Sequence, residues 1–519
     1  MRLRRRRTLV VVAIATLATG ACILSSTTRP FAGDTNSAPG TVVSTPVRAH
    51  LLDGSVVVFP QGVTFGTDRA IFGVGQRFNA TLRDTAMVRR VPLDSVLGFE
   101  VYDRRVNPAR TLLYSTVTTA ASVVGAAALL VVIFGSCPTI YADSAGVETL
   151  QAESFSYSIA PLLAKRDLDR LTAQADANGV VRLVVKNEAL ETHYLDQLEL
   201  VEVRHGANEI ALPAPRSAPI AVSELVAPAS IHDGAGRDVA AVLARSDDAV
   251  FATDPAFLDR AIEGGPLEDH LDIVLPKRAG RDTLALVLRA RASLLTSAVL
   301  YDYMLARPGP AAIDWLGHDL GRITSVAQLA RWYAGNFGMR VEVRDGDEWR
   351  QVARLMDFGP AAWREVGVAV PALGDDSVRV RISFAADEFR IDRVAAAWGV
   401  RQLEPRSVPL ARVVDREGVS HADAARMLAR VDDRQLVTQP GERFTAEFDA
   451  GVAPRGTRTY MLAAHGYYVE WIRPSWFRES EKPAAFTPSG APMREVLRSW
   501  RAAKDTLEQR FFVRRVPVV

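Results

Sequence analysis

The stretches VVRLVVKNEALETHYLDQLEL, residues 180–200, and SVRVRISFAADEFRIDRVAA, residues 377–396, read as two versions of one passage. Each opens on β-branched residues in partial alternation and closes on a second apolar run that carries an aspartate, Asp196 or Asp392. Successive side chains of a strand point to opposite faces, so Val378, Val380 and Ile382 are expected to face a core. Arg182, Arg379 and Arg381 are expected to face water. Three further matches follow in the same order. TIYADSAGVETLQAES (139–154) pairs with RVEVRDGDEWRQVARL (340–355), two strands around an Asp/Gly turn. DGAGRDVAAVLARSDDAVFAT (233–253) pairs with DREGVSHADAARMLARVDDRQLVT (415–438), both keeping Leu-Ala-Arg-x-Asp-Asp, at Leu243–Asp248 and Leu428–Asp433, and LALVLRA (284–290) pairs with YMLAAHG (460–466). Ordered self-similarity of this kind predicts a duplicated module, with copies at 138–305 and 340–475.

The strand–turn–strand opening and the VRVRI and IDRV strands resemble galactose-binding-like jelly rolls, which implies two β-sandwiches. Short helices are expected at 237–245 and 421–430. Ile313, Leu316, Leu320, Leu329, Trp332 and Phe337 recur at mostly helical spacing, so a helical connector should occupy 306–339. The tail 476–519 holds a further helix, with Val496, Leu497, Trp500, Ala503, Leu507 and Phe511 on the face that meets the second module. Ahead of the repeats, residues 47–106 read as short strands punctuated by Gly and Asp, Asp53-Gly54 marking a tight hairpin, and suggest a small SH3-like or Sm-like barrel. Residues 23–46, rich in Pro, Ser, Thr and Gly, read as a flexible tether. The expected fold is mainly β with some helix: a small barrel, one apolar transmembrane-like helix, then two β-sandwich modules joined by a helical connector.

The first 22 residues supply an address. Five arginines among Arg2–Arg7, an uncharged run from Thr8 to Ala21 and then Cys22 have the order of a secretory leader. Thr19-Gly20-Ala21-Cys22 resembles a bacterial lipoprotein signal, with Thr19 where that family usually carries Leu, and implies lipidation of Cys22. A second uncharged run, Val117–Gly135, extended backward through Leu112, is 19 residues long and reads as a bilayer-spanning helix. Its flanks, basic at Arg104, Arg105 and Arg110 and acidic at Asp143, Glu148 and Glu153, place the C-terminal part outside by the positive-inside rule. A cleaved leader followed by a full crossing reverses that order. The reading adopted is a cell-envelope protein, membrane-anchored, with extracytoplasmic C-terminal modules.

Lys+Arg number 62 against 60 Asp+Glu, a net +2, which leaves no basic excess for nucleic acid. Outside Cys22 the only cysteine is Cys137, so no disulfide framework is expected. No hydrolase, phosphate-loop or metal-protease motif occurs, the eight histidines are scattered, and no catalytic residue, metal or cofactor is assigned. Asp247-Asp248 and Asp432-Asp433 offer oxygens for calcium, or simply end a helix and open a turn. Tyr467, Tyr468, Trp471 and Trp476 form the one aromatic cluster suited to a sugar face or a lipid interface, and alternately to a sandwich core. The expected role is binding or structural, with membrane lipid and a glycan or envelope protein as partners; an accessory lipoprotein of an assembly or secretion complex is the alternative, and a glycan hydrolase ranks below both. If Cys22 carries the lipid, Cys22→Ala abolishes acyl labelling and leaves the leader uncleaved; labelling that persists refutes the assignment.

Overall fold

A computed structural model describes residues 26–33, 37–78, 85–106, 138–144, 147–215, 217–247, 249–308, 311–317, 319–374, 376–432, 434–452, 458–471, 488 and 490–513. The protein is mainly β. The first eight strands are β1 (Ser26–Gly33), β2 (Val42–Val43), β3 (Val47–Leu51), β4 (Val56–Phe59), β5 (Val63–Phe65), β6 (Ala70–Phe78), β7 (Thr85–Pro92) and β8 (Val96–Val106). They make one sheet in the order β1-β8-β3-β4-β6-β5-β2, with β7 also on β6. Asp53 and Gly54 turn β3 into β4, Gly54 at φ +82° and Asp53 accepting the Ser55 N–H at 3.0 Å. Phe59, Phe65, Ile71 and Phe99 fill the core of this sheet. Two expectations change here. Among the described residues the pairings run as an open path from β1 to β2 where an SH3-like or Sm-like barrel was expected, and the tether 23–46 is partly strand. β1 lies along β8 and Val42–Val43 along β5, because a free sheet edge offers hydrogen bonds that Pro/Ser/Thr composition does not reveal.

Ten strands follow from the first repeat: β9 (Thr139–Ser144), β10 (Val147–Glu153), β11 (Lys165–Arg170), β12 (Val180–Lys186), β13 (Glu191–Arg204), β14 (Ile210–Leu212), β15 (Ile220–Val226), β16 (Ser230–Asp233), β17 (Glu268–Pro276) and β18 (Thr283–Ala292). Ten come from the second: β19 (Met339–Asp345), β20 (Glu348–Leu355), β21 (Arg364–Pro371), β22 (Ser377–Ala385), β23 (Phe389–Gln402), β24 (Pro405–Val408), β25 (Leu410–Val414), β26 (Leu436–Thr438), β27 (Arg443–Asp449) and β28 (Arg458–Glu470). One sandwich packs the sheet β10-β9-β12-β27-β25 on β11-β28-β13-β24, with β26 on β13. The other packs β20-β19-β22-β17-β16 on β21-β18-β23-β15-β14. The inner strands of the two sandwiches follow the same order: β9 answers to β19, β12 to β22, β13 to β23, β27 to β17 and β28 to β18, while β14 and β26 have no counterpart strand. The halves, however, are exchanged. The first five strands of repeat one close their sandwich with the last five of repeat two, and the remaining halves close the other. Segments 138–305 and 340–475 therefore do not fold as separate modules. Each half meets an equivalent partner in either copy, so the ladder hydrogen bonds are satisfied equally well by exchange, as in domain swapping.

The inward pattern is as the alternation requires. Val378, Val380 and Ile382 are buried, Arg379 is exposed, and Arg381 reaches Asp272 of β17 through two bonds of 2.6 and 2.7 Å. Asp196 and Asp392 sit at the same place in the two sandwiches. The β13–β28 register shifts between Leu195 and Gln197, and the β18–β23 register shifts between Arg289 and Ala290, so each aspartate is the extra residue of a β-bulge. Both are fully buried. Asp196 binds His465 Nδ1 and accepts from Gln435 Nε2, each at 2.8 Å, while Asp392 is paired with Arg289 and accepts from Ser246 Oγ. His465 lies opposite Gln197, as Arg289 lies opposite Arg393.

Helices cover the first sandwich, and the short one at Ala240–Leu243 packs on the second. They are α1 (Ala240–Leu243), α2 (Pro255–Glu263), α3 (Leu295–Ala298) continued by a π-helical turn at Val299–Leu305, α4 (Ala311–Gly317), α5 (Ile323–Asn336), α6 (Ala422–Met427) and α7 (Ala491–Val513). Asp254 caps α2 by accepting the N–H groups of Ala256 and Phe257 at 2.8 and 3.2 Å. The connector is helical, as its spacing predicts, with Leu316, Leu320, Leu329 and Phe337 buried. The apolar face of α7 joins the core of the first sandwich beside Phe257 and Leu258 of α2. Its Trp500 Nε1 and Lys504 Nζ bind Asp387 at 2.8 and 3.0 Å, at the β22–β23 turn, where Asp387 holds φ +65°. Among the described residues no helix is long and apolar enough to cross a membrane, and the transmembrane helix expected at 112–135 lies outside them.

Exchange makes a direct prediction. Fragments 138–305 and 306–519, expressed separately, should each lack cooperative thermal unfolding, because every sandwich sheet has lost strands. An equimolar mixture should regain it. Cooperative unfolding of either fragment alone, followed by circular dichroism, would contradict the strand pairing.

Candidate functional site

Three of the four aromatic candidates are interior. Tyr467 stacks on Tyr194 with centroids 4.7 Å apart, and Tyr468 donates from its hydroxyl to the Ser156 carbonyl at 3.3 Å. Trp471 donates from Nε1 to Thr192 Oγ1 at 3.0 Å and meets Phe78 of the N-terminal sheet edge-on. All three are at most 1% exposed, so they are not a surface platform for sugar or lipid. The cause is position: one face of β28 (Tyr460, Leu462, Ala464, Tyr468) lies in the sandwich core, and the other (Met461, Ala463, Tyr467, Val469) is covered by further apolar clusters. Trp476 and Cys22 lie outside the described residues. Asp247 and Asp432 each accept a backbone N–H two residues on, from Ala249 and Arg434 at 2.8 Å, the geometry of a turn; Asp248 and Asp433 are outside the described residues. No group of three His, Cys, Asp or Glu side chains gathers among the described residues to hold a metal ion.

The candidate site is a cleft where the two sandwiches meet. It has a volume of about 1120 Å³ and is walled by β11, α5, β20, the segment Met356–Phe358 and the residues Pro213–Pro215, Ser217 and Ala218. Among the described residues five cations line it, Lys165, Arg166, Arg331, Arg354 and Arg364, against two carboxylates, Asp167 and Asp357. The floor is tied together across the exchange. Arg364 of β21 donates to Asp167 Oδ1 at 2.7 Å and the Leu168 carbonyl at 2.8 Å on β11, and Lys165 is paired with Asp357. Arg354 donates to the carbonyls of Ala334 and Phe337 at the end of α5. Arg166 and Arg331 stand on the rim, exposed, with Arg166 3.2 Å from Glu199 and Arg331 donating to the Ala327 carbonyl.

Behind the floor lie perturbed acids. Burial pushes the Asp169 carboxyl up to about 8; Arg364, whose Nε is 3.3 Å away, opposes the shift and the Asp167 charge adds to it. Burial likewise raises Glu388 to about 8, although its carboxyl accepts the N–H groups of Gly338 and Ala385 at 2.7 and 3.2 Å. Asp169 is absent from the cleft lining, and Asp167 and Asp357 are each held by a cation. The arrangement is suited to attracting an anion, and among the described residues it sets no nucleophile beside a base. Sequence reasoning missed this site, since its cations come from four distant segments and form no motif; the only local trace is the alternating charge of KRDLDR, 165–170.

No family model and no curated protein matches the sequence. Among solved structures the chain is similar to a GH31 alpha-xylosidase from Xanthomonas citri, at 9% identity over 85% of this chain and 38% of that one, with a TM-score of 0.14. The chain thus spans well under half of that enzyme's length, and a likeness this slight carries no weight for fold or function.

The buried acids set a pH dependence. An acid whose folded pKa lies near 8 and whose unfolded value lies near 4 keeps a proton in the fold that the unfolded chain has lost. Stability therefore falls as pH rises from about 4 to about 8. The melting temperature should be lower at pH 8 than at pH 5, and Asp169→Asn should flatten part of that slope. A slope unchanged by both Asp169→Asn and Glu388→Gln would remove the assignment.

Proposed function

We propose that this is a membrane-attached cell-envelope protein that binds an anionic envelope polymer without chemically altering it. The observation that carries the reading is the basic cleft between the interlocked sandwiches. Asp357 and Asp167 balance Lys165 and Arg364, and Glu199 pairs with Arg166 on the rim, which leaves Arg354 within the cleft and Arg331 on its rim as the excess of positive charge. Guanidinium groups suit phosphate and carboxylate oxygens, because their planar fork binds two oxygens at once. Among the lining residues the only aromatic ring is Phe358, which is 1% exposed, so a neutral sugar finds no ring to stack on. Membrane attachment is supported by Thr19-Gly20-Ala21-Cys22 and by the uncharged run at 117–135.

A second reading, an accessory subunit that contacts a protein, is favoured by Phe72, Val74 and Met87, which are exposed on the paired strands β6 and β7. In that case Met87→Lys releases a partner and leaves polymer binding intact.

The full chain should bind a poly(glycerol phosphate) at low salt and lose affinity as salt rises, and should ignore a neutral glucan. Reversing both rim charges, Arg166→Glu with Arg331→Glu, should weaken binding at least tenfold, about 1.4 kcal/mol. Both side chains are exposed, so the fold survives the change. Equal affinity in the double variant, measured by calorimetry, defeats the reading.

A further inference from the structure

The N-terminal sheet is fastened to the first sandwich by a buried polar contact. Arg48 of β3 is 2% exposed. It donates from Nη1 to Glu100 Oε2 at 2.9 Å and from Nη2 to Thr192 Oγ1 of β13 at 2.8 Å, and its guanidinium lies 4.9 Å from the centre of the Trp471 ring. Glu100 is held in turn by His50 Nε2 at 2.7 Å. Around this contact Val56, Val58 and Phe78 of the N-terminal sheet pack with Trp471 and Leu190 of the sandwich. An interface of this kind, with a desolvated arginine at its centre, forms only when both parts share one compartment.

Between these two parts the sequence places the uncharged run of residues 117–135. A single crossing there would set residues 26–106 and 139–513 on opposite sides of about 30 Å of hydrocarbon. Hydrogen bonds of 2.8 Å from Arg48 to Thr192 and 3.0 Å from Trp471 to Thr192 do not span that distance. A second observation fixes where the chain leaves the sheet. β1 and β8 are antiparallel neighbours from Gly33 opposite Phe99 to Ser26 opposite Val106. The residues before Ser26 and those after Val106 therefore depart from one end of the same ribbon. The two uncharged runs, 8–21 and 117–135, are attached to that end.

We infer that the N-terminal sheet and both sandwiches lie on the same face of the membrane. A single crossing of the membrane between residues 106 and 138 is incompatible with that shared face. This deepens the proposed membrane attachment and rests on it. With the arginines of the leader held on the cytoplasmic side, the cleft faces outward, where an envelope polymer can reach it.

The test uses the full chain in its own membranes. Leu52→Cys reports on the N-terminal sheet and Val419→Cys on the first sandwich; both positions are exposed, so neither change threatens the fold. A membrane-impermeant maleimide is applied before and after permeabilisation, with the unmodified chain as the background for Cys22 and Cys137. The two reporters should show the same pattern, and labelling of both in intact cells also supports the outward placement. Labelling of both only after permeabilisation upholds the shared face and overturns the outward placement. Labelling of one reporter in intact cells and the other only after permeabilisation overturns the inference and leaves membrane attachment standing. Release of the unmodified chain by a carbonate wash, followed in parallel, overturns the membrane reading itself.

Discussion

Strands β13 and β28 meet in register from Glu191 opposite Glu470 to Arg204 opposite Arg458, and most of the molecule hangs on that ladder. It joins residues more than 250 positions apart, yet the entropic cost of closing so long a loop grows only with the logarithm of its length. Once formed, it seals the first sandwich, seats Asp196 in its bulge and puts Tyr467 and Tyr468 in the interior. It also carries Trp471 to the N-terminal sheet. The partner ladder, β18 with β23, does the same for the second sandwich. A chain organised by such distant pairings is expected to fold slowly, since little is gained before the ends meet.

Ion pairs cross the same seams. Glu202 of β13 is fully buried, and it accepts from Arg406 of β24 at 2.7 Å and Arg458 of β28 at 3.0 Å. Glu447 of β27 takes Arg182 of β12 and Arg412 of β25, and Asp272 of β17 takes Arg381 of β22. All of these contacts link strands from opposite repeats except Glu447–Arg412, which joins β27 and β25 of the second. Buried pairs contribute little net stability, because desolvation offsets the attraction, but an unpaired buried charge is costly. Their role here is to penalise any misaligned register that strands Glu202 without its arginines.

The cleft is a product of the exchange as well. Its floor is the contact of β11 with β21, equivalent strands of the two repeats, which Arg364 rivets to Asp167. Two self-contained modules on a flexible linker would not hold Lys165 against Asp357 or keep Arg331 at a fixed place on the rim. The exchanged halves tie the two sandwiches together, and the cleft lies between them.

Local periodicity made the strands, the hairpin at Asp53-Gly54, the connector helices and the C-terminal helix legible in the sequence. The inward turn of Val378, Val380 and Ile382 followed from a period of two. The likeness of Asp196 to Asp392 was visible as well, though its meaning, a bulge that buries a carboxylate, needed the ladders. Three things were decided only by tertiary structure. The choice between a repeat's own second half and its neighbour's could not be read, because duplication makes the two equivalent as pairing partners. The burial of Tyr467, Tyr468 and Trp471 depended on what covers both faces of β28, which a strand's own residues do not specify. The basic cleft gathers Lys165, Arg331, Arg354 and Arg364 from four segments, and charge has no periodicity that marks such a convergence. The sequence by itself determined which way each side chain faces along its element; only the assembled fold decided which elements face each other.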